Sequence, residues 1–455
     1  MVTARVPTVP TLIRLAAALL LGAALGGCEA LGLGEGTATE TPALTDPAPA
    51  ATEQPDDVQA APAETPRPTS SAASAGDGSV VLSVWMPEAF SPDNESAGGD
   101  ELMAQLTAFD SEHPDIQVEV YTKLTSGPGS TLAYLRSARG VAPSILPDLT
   151  LLDLDALEQA ANEELVVPVN TMLDPDDLAD MYPAAVELGT VDGILIGMPY
   201  VLRMQHLVYR EVLFLQPPNS FERVLQSPVP FVFPAGTLRS VNRTVLAQYM
   251  AATDGELVDE QGSPTLDEEA LQRVLEFYAA AAENEILAPA LLQLTDPAET
   301  WNLYQSRQAG LAVVASAAYL QARGTLTNTQ VTWVPTESGE PYALVDGWLW
   351  AVTTEDPLRQ EAALELLDFL FRPANQGALS EAMAWLPSQP EALAVWSQED
   401  GYAAFADEVL ASADALPESG LQALVGAAIQ EALESVLLDG RAPAAAARQA
   451  AQRVN

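Results

Sequence analysis

From residue 80 onward, the apolar positions of this chain switch repeatedly between a spacing of two and a helical spacing. Val80-Val81-Leu82-Ser83-Val84 is a short β-branched run and predicts a strand. Leu102, Leu106 and Phe109 fall on one helical face, so a helix is expected over 100–111, stopped by His113-Pro114. Ile116, Val118 and Val120 alternate as a half-buried strand does, and 149–152 is a short apolar strand. A helix over 155–163 and the apolar Leu165-Val166-Val167 follow. This is βαβ order, which predicts a mostly parallel sheet with helices on both faces.

A second block, 201–341, is richer in helices. Thr265-Leu266-Asp267-Glu268 has the form of a capping box opening a helix that turns Leu271, Val274, Leu275 and Tyr278 inward. A further helix is expected over 298–308 and a buried strand over Leu311–Ala315. Asp356-Pro357 starts a helix with the stripe Ala363, Leu366, Leu367 and Leu370. The last hundred or so residues read as helical and Ala-rich. There is no internal repeat.

The N-terminus departs from this pattern. Arg5 and Arg14 supply a positive n-region before the run 15–25, about half the length that spans a bilayer, which reads as a signal h-region. It ends in Leu25-Gly26-Gly27-Cys28, which resembles the lipobox of bacterial lipoproteins and makes Cys28 the expected acylation site. A diacylated and N-acylated Cys would hold the chain at a membrane. Cys28 is the only cysteine, which excludes an intrachain disulfide and a thiolate metal site. No later run is expected to cross a membrane. Residues 28–77 are rich in Ala, Pro, Thr, Glu and Ser, with almost nothing large and apolar after Leu33, a composition that cannot offset its own ordering entropy and predicts a disordered linker. The expected division is 1–27 signal peptide, 28–77 lipidated Cys and linker, and 78–455 folded body, long enough for two lobes.

Charge narrows the partners. The formal net charge of −44 becomes −46 once Arg5 and Arg14 leave with the signal. Nucleic acid and anionic lipid surfaces both need basic patches, so neither is expected as a partner. Two histidines, His113 and His206, are not spaced as a ligand pair, and no HExxH, P-loop, Gly-rich nucleotide motif or GxSxG elbow occurs. No catalytic residue, cofactor or metal is expected, although an acid–base pair among so many carboxylates stays open. His113 reads as a turn residue.

The aromatic residues say more. Trp85 ends the first strand, and Asp153 and Asp155 follow the third at the same edge, where ligands of open α/β sheets gather. Trp348 and Trp350, two apart, should point one way. Indole faces with a few planar polar groups make a site suited to a hydroxyl-rich ring. Trp333, Trp385 and Trp396 read as core or surface, and Tyr209 and Trp301 as packing.

Several phrases are similar to the carbohydrate-type extracellular solute-binding proteins, the group that includes maltose-binding protein, over about 80–454. Pro147-Asp148-Leu149-Thr150-Leu151-Leu152-Asp153 resembles that family's strand leading to the cleft, and Gly193-Ile194-Leu195-Ile196-Gly197-Met198-Pro199-Tyr200 its G-x-x-x-G-x-P segment. Tyr209-Arg210 stands where the family usually has Tyr-Asn. Gln308-Ala309-Gly310-Leu311-Ala312-Val313, Gly347-Trp348 and Leu386-Pro387-Ser388 match later segments.

The resemblance implies an α/β, two-lobed periplasmic-binding-protein-like (type II) fold with a hinge and an inter-lobe cleft. It places hinge strands near 199–205 and 342–347 and a third crossing near Leu386. Lobe 1 would be about 79–199 plus 346–386, and lobe 2 about 200–345 plus 387–455. It implies an ABC-importer component that captures a sugar or oligosaccharide and docks on the transmembrane subunits of a permease. It also implies a monomer, facing the extracellular space or periplasm. Carried over by position, the ligand-binding candidates are Trp85, Glu88, Asp153, Asp155, Arg203, Ser316, Tyr319, Asp346 and Trp348. Arg203 stands where relatives often have an acidic or small polar residue. That implies an acidic or highly hydroxylated ligand, or else a salt bridge to Glu211 or another nearby acid. A polyamine ligand on the same fold, a surface glycoside hydrolase and a surface adhesin are the alternatives.

Overall fold

Twelve strands organise the body in the computed structural model, which describes residues 79–173, 178–237, 242–253, 255–397 and 401–455. The signal segment, Cys28 and the linker lie outside the described residues. In chain order the strands are β1 (Val80–Pro87), β2 (Ile116–Lys123), β3 (Leu149–Asp153), β4 (Thr190–Val191), β5 (Ile194–Leu195), β6 (Met198–Arg210), β7 (Phe231–Val232), β8 (Leu311–Ala315), β9 (Thr329–Thr332), β10 (Leu344–Val352), β11 (Leu386–Pro387) and β12 (Asp414–Ala415). The main sheet has the order β2-β1-β3-β10-β6-β8-β7, with β9 and β11 on β6 and β12 on β10.

β1, β2 and β3 pair in parallel, joined by the helices Ala97–Glu112 and Thr131–Val141, as βαβ order dictates. The expectation of a mostly parallel sheet is nevertheless corrected. β10 runs antiparallel to both β3 and β6, and β6 runs antiparallel to β8 and β9. These strands enter from distant parts of the chain rather than by a helical crossover, so the βαβ hand does not govern them.

β6 is the frame of the body. Its first part, 198–204, pairs with β10, and its second, 205–210, with β8 and β9. Its packing changes with its pairing: Met198, Tyr200 and Val201 belong to an apolar cluster with Leu82, Val84, Phe109, Leu366 and Leu370, whereas Leu202, Met204, Leu207 and Val208 belong to a larger one with Val245, Leu271, Tyr278 and Val313. β10 serves both clusters by alternation, Trp348, Trp350 and Val352 to one and Leu349 and Ala351 to the other. β11 joins β6 at Val201 and Leu202. Strands β6, β10 and β11 thus meet where the hinge was expected. The described residues belong to one compact unit.

Local chemistry starts the helices. Ser96, Asp153, Asp267, Asp296 and Asp356 each accept a backbone N–H at a helix N-terminus. The predicted box at 265–268 is displaced: Leu266 is tied by Asn455 Oδ1 (2.8 Å), and the cap is Asp267, bonded to Ala270 N–H at 2.7 Å. A true capping box lies at Asp296 and Glu299. His113 caps the helix Ala97–Glu112, stacks on Phe109 and meets Glu365 at 2.9 Å. Contrary to expectation, one described stretch, Ser419–Asp439, has the length and apolarity of a membrane span. Its Val425, Ile429, Leu433 and Val436 are buried in the larger apolar cluster, the position of a core helix.

Candidate functional site

The C-terminal ends of β1, β2 and β3 lie on one edge of the sheet, because the three strands are parallel. β10 enters at that edge with Trp348 opposite Asp153, and β6 lies beyond it with Val201 opposite Trp348 and Arg203 opposite Asp346. Asp346 and Arg203 therefore stand two residues past the end of β3, about 7 Å farther along the strand direction.

Arg203 is the only exposed position of the thirteen-residue β6. Its guanidinium grips Asp346 in a two-pronged contact, Nε to Oδ1 at 2.5 Å and Nη2 to Oδ2 at 2.8 Å. Arg243, in the first turn of the helix Arg243–Ala251, reaches the same carboxylate at 2.6 Å. Asp346 is 3% exposed. Burial alone would raise its pKa, but Arg243 and Arg203 outweigh burial and hold it below the ordinary carboxylate range. Of the two readings of Arg203, the salt bridge is the one formed, with Asp346 rather than Glu211.

Beside this group stand Trp348, Phe90 and Trp385. Phe90 meets Trp348 edge-on at 5.4 Å and Trp385 at 6.1 Å, and the Arg203 guanidinium lies 5.5 Å from the Trp385 ring. Trp348 and Trp350 share a face, as their spacing predicted, and Trp350 packs on Tyr200. Gly347 separates Asp346 from Trp348. A Cβ there would lie 2.2 Å from the Val201 carbonyl oxygen, so only glycine permits this approach of β10 to β6.

Asp153 accepts Ala156 N–H at 2.8 Å and caps the helix Leu154–Asn162. Burial raises its pKa, the Ala156 bond lowers it, and Asp155, Arg203 and Asp346 act on it at longer range. Asp155 is exposed in the first turn, and Glu88 is exposed just after β1.

Three of the nine candidates stand apart from this group. Trp85 is 4% exposed and alternates with Val84 and Met86, so it faces the other side of the sheet from Trp348. There it meets Tyr134 edge-on at 6.1 Å, and the Lys123 ammonium lies 4.5 Å from its ring. Tyr319 is buried among His206, at 5.4 Å, and Tyr402, stacked at 5.1 Å. Burial lowers the pKa of His206 to about 4, so its imidazole is neutral at ordinary pH. Ser316 is fully buried and its Oγ accepts Met204 N–H at 3.3 Å, which fixes β6 rather than facing solvent. Convergence of Trp85 and Trp348 on one wall is thereby corrected: Trp85 registers with Thr150 and Trp348 with Asp153, three positions apart on β3 and therefore on opposite faces.

Arg243, Phe90, Trp385 and Lys123 were not singled out from sequence. Trp385, a core or surface residue by sequence, is half-buried beside Arg203. Among the described residues no three His, Cys, Asp or Glu side chains gather as metal ligands.

A family model described as bacterial extracellular solute-binding protein matches residues 104–407. No curated protein matches the chain. Among solved structures, the cyclic alpha-maltosyl-1,6-maltose binding protein from Arthrobacter globiformis is similar with a TM-score of 0.68 and 19% identity, over 83% of this chain and 98% of that one. The sugar-binding protein MalE from Xanthomonas citri gives 0.65 and 16%, over 82% and 96%. An extracellular solute-binding protein of family 1 from Alicyclobacillus acidocaldarius gives 0.61 and 16%, over 83% and 98%. At these identities the likeness establishes the two-lobed solute-binding fold.

Proposed function

The chain belongs to the bacterial extracellular solute-binding protein family, and from that premise we propose that it is the substrate-binding component of an ABC importer that captures a saccharide. The ligand sits between lobe 1, about 79–199 plus 346–386, and lobe 2, about 200–345 plus 387–455, and passes to the permease without chemical change. The observation that carries this reading is Arg203: one exposed side chain near the middle of a buried strand that passes from one apolar cluster to the other, flanked by Trp385, Asp346 and Trp348. Solved relatives of this fold bind maltose, maltotriose and mannotriose. The half-buried Trp385 indole suits the C–H face of a pyranose, and Asp153, Asp155 and Glu88 suit its hydroxyls. Two guanidiniums beside Asp346 disfavour a polyamine.

A ligand closes the lobes only through tighter contacts in the closed state. Calorimetry against maltotriose, mannotriose and cyclic maltosyl-maltose should find a Kd of about 1 μM, roughly 8 kcal/mol, for at least one saccharide class. Heat with a peptide or polyamine and none with any saccharide would overturn the reading.

The same proposal tethers the protein through lipidated Cys28, with 28–77 as spacer. A clickable palmitate fed to the producing cells should label the wild type, while Cys28→Ser should lose the label and leave the membrane fraction. A labelled Cys28→Ser protein would refute the anchor.

A further inference from the structure

Lys123 is the only lysine in 455 residues; every other basic side chain except histidine is an arginine. It closes β2, at the same sheet edge as Glu88 and Asp153. Its ammonium lies 4.5 Å from the Trp85 ring centre, 4.9 Å from that of Tyr134 and 5.7 Å from that of Tyr121. Among the described residues no carboxylate forms an ion pair with it, in a chain carrying 63 acidic residues. Glu119 shares its strand face but is engaged by the Tyr121 hydroxyl, which donates to it at 2.9 Å. Two of the three rings stay open to solvent, Tyr121 at 45% and Tyr134 at 42% exposure.

The geometry points to an anion seat: Lys123, with Tyr121 and Tyr134 as stacking faces, receives the negative group of an acidic saccharide. This rests on the saccharide reading above and narrows it. A lysine ammonium is a compact, strongly hydrated charge, and aromatic faces compensate it less well than a carboxylate does. Half-buried, with its pKa lowered by burial, it holds the least compensated cation along this edge. The contrast with Arg203 is direct, since that guanidinium is already spent on Asp346. From β2 to β6 the edge spans four strand spacings, about 19 Å, room for an oligosaccharide rather than one ring.

Calorimetry on the full mature chain with trigalacturonate, maltotriose and a sulfated disaccharide tests this. The wild type should prefer an anionic ligand to maltotriose, and the preference should shrink with added salt. In Lys123→Gln the ratio of anionic to neutral affinity should drop by about 10- to 100-fold, the size of one charged hydrogen bond, and Lys123→Arg should restore much of it. A purely structural lysine would weaken all three ligands alike. A carboxylate-specific seat favours trigalacturonate, and a general anion seat takes the sulfated sugar as well. Maltotriose binding as tightly as both anionic ligands, or an unchanged ratio in Lys123→Gln, overturns the seat and leaves the saccharide reading standing. Binding of no saccharide at all by the wild type overturns both.

Discussion

At β6, Arg203 places its charge on Asp346, which Arg243 also grips; at β2, four strands away on the same edge, Lys123 places its charge on aromatic rings. Both cations are partly withdrawn from water. One is saturated by charge, the other only by ring quadrupoles, which leaves ammonium hydrogens for a partner that is not protein. The difference separates two duties. The saturated end fixes where β6, β10 and the helix Arg243–Ala251 lie relative to one another. The unsaturated end is free to discriminate among ligands.

Removing the buried acid breaks that comparison most severely. Asp346→Asn keeps the shape and deletes the charge both guanidiniums share. Because Arg203 stays nearly half exposed, the orphaned cations are partly solvated, so the loss should be about 2 kcal/mol rather than the larger figure for a fully buried pair. The sign with pH follows from the depressed pKa of Asp346. Its contribution is fully present above the ordinary carboxylate value near about pH 4 and fades as pH falls through its own lower value. Urea unfolding of wild type and variant should therefore differ at pH 7 and converge in acid. Equal midpoints at pH 7 would mean that the ion cluster fixes nothing.

The frame of this site was legible in the sequence because it depends on strands. The β-branched runs, Gly193 to Tyr200 and Gly347-Trp348 marked β6 and β10, and with them Arg203, Asp346 and Trp348. Alternation correctly put Trp348 and Trp350 on one face; separating Trp85 from Trp348 needed the register of β1 and β10 on β3, which spacing within a strand does not encode. The remaining partners come from elements without a periodic signature at the relevant residue. Arg243 opens a helix of the second block, Phe90 sits in one short turn, and Trp385 follows the left-handed Ala384 between a helix and β11. Their convergence depends on tertiary packing, which local spacing does not encode. Lys123 did carry a signal, as the single lysine among arginines, but its aromatic neighbours come from β1, β2 and the helix Thr131–Val141.

The smallest effect sharpens the comparison between two aspartates on neighbouring strands. Asp346 is held charged by its neighbours, whereas burial makes the charge on Asp153 costly. A raised folded pKa means that the folded protein binds the proton more tightly than the unfolded chain. The cost is absent well below about pH 4, grows as pH rises through the folded pKa of Asp153, and is complete above it. Asp153→Asn removes that cost and keeps the helix cap, because asparagine accepts the Ala156 N–H as well as aspartate does. The variant should melt slightly higher than wild type at pH 7 and at the same temperature at pH 3. A carboxylate retained against its own stability cost is accounted for if its charge serves the ligand, so saccharide affinity should fall in the same variant. A higher melting temperature with undiminished affinity would remove Asp153 from the site, and a lower one at pH 7 would show that its charge stabilises the fold.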